Sequence, residues 1–527
     1  MKSTKCFSPL LTAEVSGRQD AFTAIYLGEG NDQYIVGNGL LYGFSFGESG
    51  DDLFDIQQAI SGSYNLYAGS GSDTVNAGSI AGLVDLGSGN PMPSEYLATY
   101  NNSTLSLGND NNVDLASDIN TVNVTGSISG GTILGGAGID KIYVTNGYVD
   151  SGATINLGAN NDSLTAMGLN NSSTVDMGDG DDVVTIKTDI GNGTGTPTLG
   201  LGSGNDTLTV GNSASNDGRL LSGNIDMGTG YDKAYINGTI SGGTLNMGSG
   251  GSIVQIRTLT GGSVTSTDGV DDIKVTGAMS GGSISTGNDN DKVIIEGIMK
   301  GDSSINTGSG NDTVEVTQSV EKSGIYSPSL DLGTGDDSFK SSQFKSGTLS
   351  MGDGIDIVDI TDTSSGMSGG TIDLGAGNDT INLANMTGGT INGGVGNDNI
   401  NIVKYTGGTI NGGDGIDTVH ITGSGSSLTT SSISAVEVLD LGTGDMGNTF
   451  SASFNQIRTS SLSGLFIAGD AKDTVNLSGA GNWTKSSTIT TGDDGNTYYA
   501  YTGKYLSYSD QVIYIDTDIA AADKVIL

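Results

Sequence analysis

Three aspartates, Asp379, Asp398 and Asp417, stand 19 residues apart, and each closes the same phrase, Gly-x-Gly-x-Asp, opening at Gly375, Gly394 and Gly413. A carboxylate is a hard, anionic oxygen ligand. The glycines ahead of it permit positive φ and leave the peptide carbonyls bare and close together. Hard oxygens in number are what Ca2+ requires, six to eight of them at about 2.3–2.6 Å. One phrase has too few. Two successive phrases on one edge of a repeating structure have enough, so the chemistry calls for elements that stack loop upon loop with an ion between coils.

The sequence around the phrase supplies such elements. After each Asp comes a run of period two, as in Asp312-Thr313-Val314-Glu315-Val316, which predicts a strand with Val314 and Val316 inward. A second short strand precedes the phrase, with inward pairs such as Ile155 and Leu157, Ile225 and Met227, and Ile372 and Leu374. Gly-Gly turns such as Gly242-Gly243 and Gly388-Gly389 close the other side. A fixed period near 20 residues marks a solenoid. The fold expected is all-β: a parallel β-solenoid with two short strands per coil of about 19 residues, ion loops on one edge, and a C-terminal β-rich capping module.

Composition agrees with a thin core repeated along an axis. The 527 residues include 89 glycines and 5 prolines, with 34% apolar residues. The formal charge is −39, from 59 acidic and 20 basic residues, which excludes nucleic acid and anionic membranes as natural partners and favours cations. One cysteine, Cys6, allows no internal disulfide, and one histidine, His420, leaves no Cys/His zinc site. His420 falls at an outward strand position and is expected to face solvent. No apolar stretch is long enough to span a bilayer, and residues 1–16 do not read as a cleaved secretory signal.

Three departures divide the chain. Residues 1–25 read as a leader or N-terminal cap and 26–425 as the solenoid. Within the solenoid, Gly87-Ser88-Gly89-Asn90 is followed by Pro91, not Asp, and residues 90–112 read as an excursion. At Gly248-Ser249-Gly250-Gly251-Ser252 a serine takes the Asp position. From 426 to 527 the rhythm lengthens and aromatic residues gather, among them Trp483, Tyr498, Tyr499, Tyr501, Tyr505 and Tyr514, as in a cap over an apolar end.

The repeated phrase resembles the RTX repeats, the glycine- and aspartate-rich units of calcium-binding β-rolls in proteins exported by type I secretion. The resemblance covers most of residues 27–420. It implies calcium ligation by Asp32, Asp52, Asp73, Asp140, Asp162, Asp182, Asp206, Asp232, Asp271, Asp291, Asp312, Asp337, Asp356, Asp379, Asp398 and Asp417. With them would go the loop carbonyls of Gly28, Gly30, Gly136, Gly138, Gly178, Gly180, Gly202, Gly204, Gly228, Gly230, Gly308, Gly310, Gly352, Gly354, Gly375, Gly377, Gly394, Gly396, Gly413 and Gly415. The loops occupy only one edge, similar to the one-sided version in the ice-binding region of a giant bacterial adhesin. An ice template, however, needs Thr and Asn at the two x positions, where this chain has Val395, Asp414, Ile355 and Ile416. Outward Thr371, Thr390 and Thr409 read as strand formers on a solvated face.

The segments around 432–441 and 465–477 resemble the C-terminal module of type I secreted surface proteins, and the ending Asp523-Lys524-Val525-Ile526-Leu527 resembles an uncleaved export signal. These resemblances imply a bacterial protein, secreted or at the cell surface, that folds on calcium and self-assembles as a homo-oligomer or lattice in a surface layer or matrix. A calcium-dependent adhesin, binding ice, a surface or cell-surface polysaccharide, is the alternative. Carboxylate pairs such as Asp181 and Asp182 would suit a polysaccharide-modifying enzyme, but they recur along the array, so no unique active site and no enzyme is expected.

Overall fold

The computed structural model describes residues 3–5, 12–15, 23–36, 43–60, 64–86, 118–212, 214, 217–443, 446–460, 462–478, 482–492, 495–505 and 508–527. Cys6 and the excursion at 90–112 lie outside them. Packing divides the chain into two compact units, Met1–Asp268 and Gly269–Leu527. Both are all-β parallel solenoids, about 19 turns between them.

In the first unit the strands that follow the loops pair in parallel and in sequence order, as in Ser163–Ala166 with Val183–Ile186 and then Thr207–Val210. The strands that precede the loops form a second parallel column, through Thr154–Gly158, Thr174–Asp176, Thr198–Gly200 and Asn224–Asp226. Like stacks on like: Val184 sits beside Leu208, and Val175 beside Leu199. The inward members of each alternating run, among them Val184, Leu208, Ile155 and Leu157, are at most 2% exposed. A coil alone has no partner for that face, so each neighbour completes the other's core.

The second unit repeats this plan, with Thr380–Leu383 on Asn399–Ile402 and then Thr418–Ile421. The 19-residue spacing read from the sequence is the strand register itself, since Gly375 pairs with Gly394 and Gly394 with Gly413. Toward its end the unit changes character. Gln511–Asp516 still pairs in parallel with Phe466–Ala468, but its other neighbour, Thr497–Lys504, is antiparallel, and Asn482–Thr491 follows antiparallel again. Aromatic packing accompanies the change, with Phe466 stacked on Tyr514 at 4.4 Å and Phe454 6.3 Å from Trp483. Ser427–Thr429, Thr449–Ser451, Thr474–Asn476 and Val525–Ile526 form a separate parallel sheet.

Beside the two strands of a coil there is a further row. At the edge opposite the loops a third row runs through single bridging residues. In the first unit it passes along Val149, Leu169, Ile190, Leu220 and Ile240. In the second, Met279 pairs with Met299, Phe344 with Met367, and Met386 with Tyr405. All are buried, so the coil is three-sided inside, and the residue two places before a Gly-Gly turn, such as Ile240 ahead of Gly242 or Met386 ahead of Gly388, is core.

Candidate metal centre

The loop that carries the candidate ligands is shaped by its glycines. Gly394 and Gly396 have φ of 112° and 132°, a region that side chains with a Cβ rarely enter. A Cβ on Gly394 would come within 1.9 Å of the Gly375 carbonyl oxygen, and one on Gly396 within 1.6 Å of that of Gly377. Backbone conformation and the closeness of adjacent coils therefore both select glycine there.

The aspartate that ends each loop turns inward. All sixteen loop aspartates expected as ligands are at most 2% exposed. In the first unit Asp32 N–H donates to Asp52 Oδ1 and Asp52 N–H to Asp73 Oδ1, both at 2.8 Å. The series resumes from Asp140 through Asp162, Asp182 and Asp206 to Asp232, at 2.7–2.8 Å. In the second unit the column is unbroken from Asp271 through Asp291, Asp312, Asp337, Asp356, Asp379 and Asp398 to Asp417. Asp417 N–H ends it on Glu437 Oε2, at 2.9 Å.

One oxygen of most of these carboxylates is thus engaged by the neighbouring coil. The other, Oδ2, is buried with no hydrogen-bond partner in Asp52, Asp73, Asp140, Asp182, Asp206, Asp232, Asp291, Asp312, Asp337, Asp356, Asp379, Asp398 and Asp417. A buried anionic oxygen without donor or counter-charge is costly. Burial accordingly pushes these groups up: Asp52 to about 8, Asp73, Asp140, Asp182, Asp232, Asp291, Asp337 and Asp379 to about 7, and Asp206, Asp356 and Asp417 to about 6. The N–H bond from the preceding coil opposes the rise in most of them without cancelling it.

Of the expected glycine carbonyls, those of the first loop position already serve the ladder: Gly178 accepts from Ser203 N–H, Gly202 from Thr229 and Gly352 from Ala376. A carbonyl has two lone pairs, so this leaves one for a cation. Among the described residues no group of three His, Cys, Asp or Glu side chains converges. Carboxylates alone therefore do not complete a site, and an ion in the column would need main-chain carbonyls, other side-chain oxygens or water beside them.

Three features were not anticipated. The residue before each Asp builds a second, exposed column: Asp51 N–H donates to Asn31 Oδ1, Asp181 N–H to Asn161 Oδ1 and Asn397 N–H to Asn378 Oδ1. It stops where Tyr231, Ile355 or Ile416 takes the position, since each donates its N–H to the Oδ1 of Asn205, Asp336 or Asn397 but has no Oδ1 of its own to accept from the next coil. The Asp missing at Pro91 is replaced by Asn120, which accepts the Asp73 N–H at 2.9 Å. His420, expected to face solvent, is about two-thirds covered and pairs through Nδ1 with Asp440 Oδ2 at 3.0 Å, because Asp440 lies in register one coil on.

No protein-family model matches the chain, and no curated relative does. Among solved structures it is similar to the X-ray crystal structure of a hyperactive, Ca2+-dependent, beta-helical antifreeze protein from an Antarctic bacterium. The identity is 17% over 69% of this chain and 84% of that one, with a TM-score of 0.31. A likeness so loose carries no argument about function, which rests on the columns themselves.

Proposed function

We propose that the chain is a calcium-binding extracellular structural protein, which folds when calcium enters the loop columns and then assembles with copies of itself into a surface layer or matrix. One observation carries the reading: thirteen buried carboxylates, repeated coil after coil in each unit, have an oxygen with no donor. Such a column needs a proton or a cation at every step. The donor set fits calcium, being carboxylate and carbonyl oxygen throughout, with no thiolate or imidazole facing it among the described residues.

When bound, the cation supplies positive charge between coils, and its binding free energy becomes folding free energy. One divalent ion per loop would cancel most of the −39 formal charge. Without it, the loop carboxylates repel one another and oppose a thin core, so the chain stays extended and fit for export. Among the described residues no helix is long and apolar enough to cross a membrane.

Circular dichroism during a calcium titration, with bound ions counted by native mass spectrometry, tests the reading. The β-signal should appear cooperatively and vanish with chelator. A chain fully folded in excess chelator at pH 8 would refute it. Light scattering of the calcium-loaded protein should rise with concentration, and a monomer at every concentration would remove the assembly step.

A specific observation also favours the adhesin. The outward face of the second unit's pre-loop strands holds two straight rows in register, Ser329, Thr348, Thr371, Thr390 and Thr409 beside Asp331, Ser350, Asp373, Asn392 and Asn411. This face can present hydroxyl and carboxamide groups to an ordered surface at the coil spacing, about 4.8 Å. Replacing Thr371, Thr390 and Thr409 by Lys should abolish attachment to ice or insoluble polysaccharide while sparing the calcium-induced fold; unchanged attachment would dismiss this reading.

A further inference from the structure

The column of the first unit has one member that is not a carboxylate. Asn120 stands between Asp73 and Asp140, fully buried. Its strand, Ile119–Val124, pairs with Thr74–Ile80 on one side and Ile139–Val144 on the other, so its coil is an ordinary member of the stack. Its Oδ1 accepts the Asp73 N–H at 2.9 Å, as Asp73 Oδ1 accepts that of Asp52 at 2.8 Å. The side chain thus has the orientation of its neighbours, and its nitrogen lies on the branch where they carry Oδ2.

That nitrogen is fully used. Nδ2 donates to the Leu86 carbonyl oxygen at 3.1 Å and to Asp140 Oδ1 at 3.0 Å. Leu86 opens the loop of the same coil, at the place Leu27 takes ahead of Gly28, and residues 87–117 intervene before the chain resumes. The amide therefore draws together a main-chain carbonyl of its own coil and the carboxylate of the next. Both partners are oxygens, and what joins them is a centre of positive partial charge. A carboxylate at 120 could make neither bond. On either side, Asp73 Oδ2 and Asp140 Oδ2 lack any such donor.

We infer that the Asn120 amide takes the seat a cation occupies elsewhere in the column. The inference rests on the calcium reading above and deepens it. Two N–H groups hold the seam that an ion would hold, and they would repel an ion placed among them. The first unit then carries two separate ion runs, Asp32 to Asp73 and Asp140 to Asp232. The seam between them, which joins Leu86 and Asn120 to Asp140, closes without metal.

Native mass spectrometry of the full chain in saturating calcium tests this with three variants. Asn120→Asp should bind one ion more than the parent, and Asn120→Ala the same number. Asp182→Asn, which transplants the amide into an ion-bearing run, should bind at least one fewer. If Asp182→Asn loses an ion and Asn120→Asp gains none, the inference about Asn120 is wrong. It is equally wrong if Asn120→Ala loses an ion, because Asn120 would then be a ligand; this arm stands even if Asn120→Asp does not fold. An Asp182→Asn variant with the parent's count would also overturn the inference, since an amide would then not exclude an ion, whereas a parent chain that binds no calcium would overturn the calcium reading instead.

Discussion

Asp379 donates its backbone N–H to the Asp398 carboxylate one coil further on, at 2.9 Å, while beside it the N–H of Asn397 donates back to Asn378, at 2.7 Å. The two side-chain columns of the loop edge thus run in opposite senses, the buried one pointing toward the N-terminus and the exposed one toward the C-terminus. Each coil is clasped to its neighbour from both sides by residues adjacent in sequence.

The two clasps should differ in strength because only one is shielded from water. Asp398→Ala leaves the buried Asp379 N–H without an acceptor and should cost about 1–3 kcal/mol. Asn397→Ala exposes the Ile416 N–H to solvent and should cost about 0.5 kcal/mol or less. Thermal midpoints in saturating calcium decide the matter, and equal losses would mean that the buried column has no special weight.

Acid should substitute in part for calcium. The folded carboxylates titrate at about 6 to 8, above the ordinary value of 3.8, so the folded state binds more protons than the unfolded chain between those limits. Stability is then gained as pH falls from about 8 toward 4 and lost as it rises through the folded values. In chelator, the β-signal should grow over that fall in pH. In saturating calcium the trend should reverse, because protons displace the ion from the same oxygens. A chelated protein indifferent to pH would contradict the buried column.

Glycines with the same sign of φ should respond differently to alanine. Gly324 has φ of 62° with nothing within 4 Å of an added Cβ, so Gly324→Ala should cost about 1 kcal/mol of backbone strain. Gly396→Ala drives a methyl into the Gly377 carbonyl and should prevent the coils from closing. Calcium midpoints from circular dichroism would show a small shift for the first and loss of the cooperative transition for the second.

The third row should prove as much core as the other two. Met386 is fully buried and bridges Met367 and Tyr405, so Met386→Ala should cost about 2–4 kcal/mol in chemical denaturation. A loss below about 0.5 kcal/mol would return that edge to being a plain turn.

Much of this architecture could be read in advance because register and periodicity are the same thing in a stacked coil. The spacing of Gly375, Gly394 and Gly413 gave the strand pairing, and alternation at Val314 and Val316 gave the inward face. The third row was hidden because a single apolar residue per coil, beside exposed Ser or Thr, has no alternation to mark a strand; the recurrence of residues such as Leu220, Ile240, Met367 and Met386 near the turns was its trace. The inward direction of the aspartates was hidden too, since acidic residues belong on the surface unless something compensates them. Asn120 could not be matched to its place while 28 residues separated it from the Pro91 position, and its register with Asp140, with that of Thr121 beside Thr74, restores it.

Because the coils from Asp337 to Asp417 give and receive the same buried bonds in the same direction, one of them is interchangeable with the next as a unit of inheritance. Removing residues 375–393 would join Leu374 to Gly394 and bring Asp356 against Asp398, with both columns reading on as before. Loss of a residue inside one Gly-x-Gly-x-Asp loop would instead displace that loop's own aspartate, while the remaining turns absorb differences in length, successive bonded aspartates standing 19 to 26 residues apart. Genes for such chains should therefore lengthen and shorten by whole repeats, through recombination between near-identical segments such as those at 371–422.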